Sequence, residues 1–238
     1  MKTRILYIAC LMALLSACEL IPEQDRLIPI QPPVTDSTRC HVLIEFTGFR
    51  CVNCPAAAEI ANDLSRLYGE RLIVVAMHPA SNPFTQGKYD YTCPEADSIY
   101  QLMGGTAQTP FPTGNIDFLP IDNDYFLDPL EWTGRLQTLM TNHQSPFTNH
   151  QSPITSYWLV EDSVLGVQAM PDGSVNTAYY HRHVLRAISP LPFTALPAAC
   201  DPAHCSVVTV FSDSIDNHIL NAYETKWITT PATMPGKP

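Results

Sequence analysis

Cys51 and Cys54, with two residues between them, are the side chains of this sequence best placed to do chemistry. Before them, Val42 to Phe46 is a short, partly β-branched apolar run stopped by Gly48, which reads as a buried strand. After Pro55 the period changes. Ala57, Ile60, Ala61, Leu64 and Leu67 recur at helical spacing and predict one buried helix face. Pro55 suits a first helical turn, where its missing N–H costs nothing, and Gly69 suits the end. The pair therefore falls where a strand gives way to a helix, with Cys51 just outside the helix N-terminus. Free N–H groups and the positive end of the helix dipole favour a thiolate there, and Arg50 adds positive charge. A thiolate of that kind is a nucleophile at neutral pH. Cys51 is expected to be the exposed, attacking sulfur, and Cys54, drawn into the helix, the one that resolves a mixed disulfide.

Two plainer chemistries compete. The pair could be half of a zinc site completed by Cys200 and Cys205, but C-x-x-C with C-x-x-x-x-C is loose spacing, and a strand-to-helix setting is not a zinc knuckle. It could also be an inert structural disulfide in an oxidising compartment. The redox reading is preferred, with no metal and no cofactor assigned.

The other candidates are read in the same way. Glu45 is a carboxylate in an otherwise apolar strand. It is either buried behind the cysteines, with a raised pKa and a role as proton relay for Cys54, or exposed at a strand end. His78 follows the second predicted strand at the end where ligands of parallel sheets bind, or is a plain loop histidine. His181 and His183 would share one face of a strand and read as a surface or core pair rather than a metal site. Cys200 and Cys205 are expected to close a small structural disulfide. Cys40 and Cys93 are expected to stay unbonded, because a strand of about 17–20 Å separates them, against a limit of about 7 Å between bridged Cα atoms.

The net charge of −10 argues against nucleic acid as a partner, and 45% hydrophobic residues place the chain among globular proteins. Lys2 and Arg4, the apolar run Ile5 to Leu15, and Leu15-Ser16-Ala17-Cys18 form a targeting segment with a small-residue cleavage pattern ending in cysteine. That pattern resembles a bacterial lipoprotein signal, which implies a signal peptide over 1–17 and a lipid on Cys18. No later stretch approaches the roughly 18 apolar residues of a membrane span. The expectation is a protein anchored to the membrane by lipid in a bacterial cell envelope, at the outer membrane on either its periplasmic or its surface face. Residues 18–39 carry Pro22, Pro29, Pro32 and Pro33 and read as a tether.

The elements that must position the pair follow in order. Leu72 to Met77 predicts a second buried strand, Pro94 to about Met103 a second helix, Asn115 to Leu119 a third strand, and Pro129 to about Met140 a third helix with Leu130, Leu136, Leu139 and Met140 toward the core. With a CxxC after the first strand, this order over 40–141 resembles the thioredoxin fold. The resemblance implies a cis-proline facing the pair, with Pro112 preferred over Pro110. Asn142 to Thr148 is repeated at once as Asn149 to Thr155, a polar linker and the expected domain boundary. From 156 to 238 the pattern turns to short strands at Tyr157–Val160, Val164–Met170, Val207–Phe211 and Ile219–Tyr223, predicting a small β-rich, sandwich-like domain. Val175 to Ile188 is ambiguous.

Val42 to Gly48, Cys51-Val-Asn-Cys-Pro-Ala-Ala57, Phe111-Pro-Thr-Gly114, His181-Arg-His-Val-Leu-Arg186 and Val207 to Ala222 together resemble the outer membrane protein twenty-eight family of bacterial envelope lipoproteins. The resemblance implies a thioredoxin-like domain followed by a β-rich one. The expected function is an envelope-anchored thiol–disulfide oxidoreductase acting on protein thiols or disulfides. The alternative is a non-catalytic surface lipoprotein whose thioredoxin-like scaffold and β-rich domain bind protein or glycan.

Overall fold

The computed structural model describes residues 39–89, 91–141 and 153–228. The expected signal peptide, Cys18, the tether and most of the tandem repeat, with His143 and His150, lie outside the described residues. Among the described residues, no helix is long and apolar enough to cross a membrane.

The molecule is mixed α/β and rich in sheet. β1 (His41–Phe46) leads through the cysteine loop into α1 (Cys54–Tyr68), then β2 (Leu72–Met77), α2 (Pro94–Leu102), β3 (Thr113–Ile116) and α3 (Trp132–Thr141). Strands β4 (Ile154–Glu161), β5 (Val164–Ala169), β6 (Val175–His181), β7 (Val184–Ser189), β8 (Cys205–Ser212) and β9 (Ile219–Lys226) follow. The ambiguous stretch 175–188 is thus two strands, and the third strand starts two residues earlier than expected and ends at Ile116.

β1 and β2 run parallel, with Leu43 opposite Val74 and Glu45 opposite Ala76, and β3 pairs antiparallel with β1. Alternation along the strands sorts their side chains onto two faces. Leu43, Val74 and Ile116 pack under α1 and α3, against Ala57, Ala61, Leu64, Trp132 and Leu136. Val42, Ile44, Phe46, Val75 and Met77 face the other way, against Ala96, Tyr100 and Met103 of α2 and its C-terminal end. Two predicted core positions do not join. Leu67, in the last turn of α1, is 70% exposed, and Leu130, in the short turn before α3, is 82% exposed.

The expected separate sandwich is not what the last strands build. Among the described residues they form one seven-stranded sheet with the first three, in the order β3-β1-β2-β7-β4-β8-β9. The join is a parallel register of Ala76 with Val184, beside which the Ala76 N–H donates to the His183 carbonyl at 2.7 Å. The sheet curls until β9 returns beside β1. There the Cys40 N–H donates to the Asn221 side chain at 2.9 Å, and the Ile219 N–H to the Asp117 carbonyl at 2.8 Å. Trp158, Val160, Leu185, Val208 and Val210 consequently share one core with β1 and β2. Buried Asp117 ties the curl together, accepting from Arg39 at 3.0 Å and from the Val42 N–H at 2.8 Å, with His41 Nδ1 2.5 Å away. β5 and β6 leave the sheet as a separate two-stranded hairpin.

Candidate active site

The apolar strand β1 runs out at Phe46, and the chain must turn before α1 can lie back over the sheet. Gly48 makes that turn possible: a Cβ there would sit 2.5 Å from the Phe84 carbonyl oxygen. The Cys51 N–H donates to the Gly48 carbonyl at 3.0 Å, and the Arg50 N–H to the Phe84 carbonyl at 3.0 Å. Asn53 caps α1 without a side-chain hydrogen bond, and Pro55 occupies its first turn. Cys51 stands before the helix and Cys54 is its first residue. The two are joined in a disulfide with Cα atoms 5.4 Å apart. The Arg50 guanidinium is turned to the Gln86 carbonyl, 3.3 Å away.

Across from the first turns of α1, the Phe111–Pro112 peptide is cis. Between them lies an open groove of about 700 Å³ lined by Asn53, Ala56, Ile60, Phe111, Pro112 and Thr113. Phe84, in the loop after β2, stacks on Phe111 with ring centroids 6.0 Å apart.

Glu45 is buried, at 3% exposure. Its place on β1 puts it on the α1 face, in register with Ala76. Its Oε1 has no partner. Burial pushes its carboxyl from the ordinary 4.5 to about 8, so at neutral pH it is mostly protonated. Glu45, Cys54, His78, Gln168, His181 and His183 line a polar cavity of about 100 Å³. His78, two residues beyond Ala76, stands on this same face; it is 2% exposed, and neither ring nitrogen has a hydrogen-bond partner. Burial first, then the nearby His181 and Arg186, hold its pKa well below the usual histidine range.

The sequence gives no warning of what lies over the cysteines. The β5–β6 hairpin docks on their loop. The buried Gln168 amide donates to the Cys51 carbonyl at 2.8 Å and to the Gly48 carbonyl at 3.4 Å, while the Ala169 N–H donates to the Phe49 carbonyl at 2.8 Å. Cys51, expected to be exposed, is therefore 2% exposed, as is Cys54. Tyr91 fixes the hairpin. Its hydroxyl accepts from the Val167 N–H at 3.2 Å and fills the space beside Gly166, where an added Cβ would lie 1.7 Å from it. His181 donates from Nε2 to the Val167 carbonyl at 3.1 Å, and burial takes its pKa down to about 4.

The second cysteine pair is built differently. Cys200 and Cys205 are thiols, not the expected disulfide. Their sulfurs and a Glu161 oxygen lie within 4.8 Å of one another, all three residues buried. Glu161 Oε1 accepts from the Asp201 N–H at 2.7 Å, and its Oε2 forms an ion pair, rather than an aligned hydrogen bond, with Arg186 Nε at 3.2 Å. Burial and the neighbouring Cys200 push the Cys205 thiol to about 12. The zinc set imagined from Cys51, Cys54, Cys200 and Cys205 is not assembled, since each pair packs in a different core cluster. Cys40 and Cys93 are buried thiols as well.

No protein-family profile matches the chain. No curated protein matches it either. Among solved structures, its fold is similar to that of HBP35 of Porphyromonas gingivalis, with a TM-score of 0.57 at 13% identity over 84% of this chain and 81% of that one. A protein of Agrobacterium tumefaciens matches at a TM-score of 0.47 and 14% identity, over 82% of this chain and 97% of that one.

Proposed function

We propose that the chain is a thiol–disulfide oxidoreductase of thioredoxin type, with residues 40–141 as its thioredoxin-like part. The observation that carries this reading is the Cys51–Cys54 disulfide at the start of α1 with an unpartnered, buried Glu45 beneath it. A structural bond gains nothing from a buried ionisable group left without a protein partner behind it. A resolving thiol does, because it must lose a proton to become a nucleophile. In the reducing direction the Cys51 thiolate attacks a substrate disulfide and displaces one substrate sulfur as thiolate. Cys54 then gives its proton to ionised Glu45 and attacks Sγ of Cys51. The Cys51–Cys54 bond forms, the mixed disulfide breaks, and the second substrate sulfur leaves. Pro112 borders the groove in which an extended substrate would lie.

Lipid attachment at Cys18, an address in a bacterial envelope and membership of the outer membrane protein twenty-eight family belong to the same proposal. They rest on the signal-like pattern and the quoted motifs. Replacing Cys18 with Ala should release the protein from the membrane fraction; unchanged fractionation overturns the anchor.

A second reading is favoured by one observation, the 2% exposure of Cys51. In it the pair is a permanent disulfide and the fold a scaffold for binding protein or glycan. The reduction potential of the Cys51–Cys54 couple separates the two. A value between about −120 and −270 mV supports the oxidoreductase, and one below about −300 mV the scaffold.

A further inference from the structure

The oxidoreductase reading leaves a proton without a route. Glu45 can serve Cys54 as a base only while it is ionised, and each turnover leaves its proton on a carboxyl that is 3% exposed. That proton must cross the interior to water. Glu45 Oε1, His78 Nδ1 and His78 Nε2 are all buried without partners, and both residues line the cavity behind Cys54. Buried polar atoms in native proteins nearly always find partners in protein or ordered water. A polar space of about 100 Å³ has room for a few water molecules.

We infer that this cavity is a water-filled proton path and that His78 is its relay, passing the proton of Glu45 outward; the inference rests on the oxidoreductase reading. The step balances without any further reactant. As Cys54 attacks Cys51, its proton moves to Glu45. Glu45 later returns it, through cavity water, to the unprotonated nitrogen of His78. His78 releases the proton from its other nitrogen, and the ring is left as the opposite tautomer, to be reset by a flip or by a second transfer.

The surroundings of His78 suit a relay better than a charged site. Facing its ring are Tyr91, with centroids 5.5 Å apart, and His181, at 5.8 Å, and the charge of Arg186 bears on it as well. His181 uses its Nε2 hydrogen on the Val167 carbonyl, which leaves Nδ1 as an acceptor. None of these groups carries a negative charge to fix an imidazolium, so a proton on His78 moves on. The outlet is His183, which lines the same cavity with a side chain 24% exposed. Its Nε2 lies 3.3 Å from Asn62 Oδ1.

The test uses the full-length reduced chain and glutathione disulfide. Cys51 attacks to give a glutathione mixed disulfide, and Cys54 then displaces the second glutathione, so rapid quenching and intact mass follow the two steps apart. His78→Gln keeps a polar side chain but cannot carry a proton through. It should form the mixed disulfide at the wild-type rate and resolve it about ten-fold or more slowly, with a larger solvent deuterium isotope effect and an unchanged Cys51–Cys54 reduction potential. Glu45→Gln should slow the same step. If His78→Gln resolves at the wild-type rate while Glu45→Gln is slow, the relay is wrong and the oxidoreductase reading stands. Should glutathione disulfide form no mixed disulfide with the wild-type chain, that reading falls and the relay with it. The ring nitrogen shifts of His78 in the unaltered protein give a check that needs no variant. Shifts averaged between the two neutral tautomers support the relay, and a ring frozen in one tautomer overturns it.

Discussion

Among the described residues, two pairs of buried cysteines lie close in sequence, and their surroundings differ. Cys51 and Cys54 bracket the N-terminus of α1, where free N–H groups and the helix dipole favour a thiolate. Their carboxylate neighbour, Glu45, is buried, and its Oε1 has no hydrogen-bond partner in the protein. Cys200 and Cys205 lie between a loop and β8 with no helix start beside them. Their carboxylate neighbour, Glu161, is bound by Arg186 and by the Asp201 N–H. The contrast lies less in the sulfurs than in the acid beside them. Glu161 has a cation and a backbone donor on its two oxygens, and Glu45 has no ion-pair partner among the described residues. Glu45 sits near the edge of ionisation at neutral pH.

The largest effect that could break this contrast is loss of reaction altogether. Reduced Cys54→Ser should trap partners that carry a disulfide, Cys51 attacking one sulfur and the other leaving as thiolate, whereas Cys51→Ser should trap few, because the remaining sulfur is inside the helix. Non-reducing gels of the two variants read this directly. Equal trapping by both would erase the assigned roles.

The next largest effect is that of Glu45→Gln, on rate and on stability. Loss of a proton acceptor should slow resolution of a mixed disulfide by about 10²-fold. The stability effect has a definite sign. A carboxyl raised from 4.5 to about 8 on folding binds its proton more tightly in the native state. Its contribution is therefore fully present below about pH 4.5 and is lost as the pH rises through about 8. Wild type should lose thermal stability across that window, and Glu45→Gln should lose less. Parallel melting curves for the two proteins from pH 5 to 8 would place Glu45 in water.

A smaller effect is expected at Gln168. Gln168→Ala removes the amide that holds the hairpin to the cysteine loop and leaves two buried carbonyls, of Gly48 and Cys51, without that donor. The cost should be about 1–3 kcal/mol. In the reduced chain, Cys51 should alkylate several-fold faster than in wild type. Faster labelling would show that the hairpin governs access to this pair. Labelling unchanged despite a lower melting temperature would leave Gln168 with a purely structural role.

Much of the site was legible because its parts are local. The strand stopped by Gly48, the helix opened by Pro55 and the cysteines between them are near neighbours in sequence, and each carries its own pattern. Pro112 was legible from the turn and strand that follow it. What could not be read is what reaches the site from far along the chain. Short alternating strands say that a sheet forms, but not which edge it joins, so β7 beside β2 carried no signal. Gln168 meets Cys51 across 117 residues, and a lone glutamine on a hairpin announces nothing. The exposure expected of Cys51 failed for that reason. Cys200 and Cys205 were close enough in sequence to suggest a bond, but Arg186 and Glu161, which occupy the space around them, come from other strands.

The smallest expected effect is the one that tests the second pair. Burial and the neighbouring Cys200 raise Cys205 to about 12, and burial also raises Cys200, against a partial opposing effect of Arg186. At neutral pH both are thiols, which are poor nucleophiles. In the reduced chain they should alkylate far more slowly than Cys51. Cys205→Ser is nearly isosteric and keeps a hydroxyl where Cys205, 1% exposed, now meets Cys200 and Glu161. The variant should cost about 1 kcal/mol and leave the Cys51–Cys54 potential unchanged. If its potential instead moves by about 30 mV, which corresponds to about 1.4 kcal/mol, the two pairs are coupled through the shared sheet. The contrast drawn between an exchanging pair and an inert one would then describe two ends of a single redox unit.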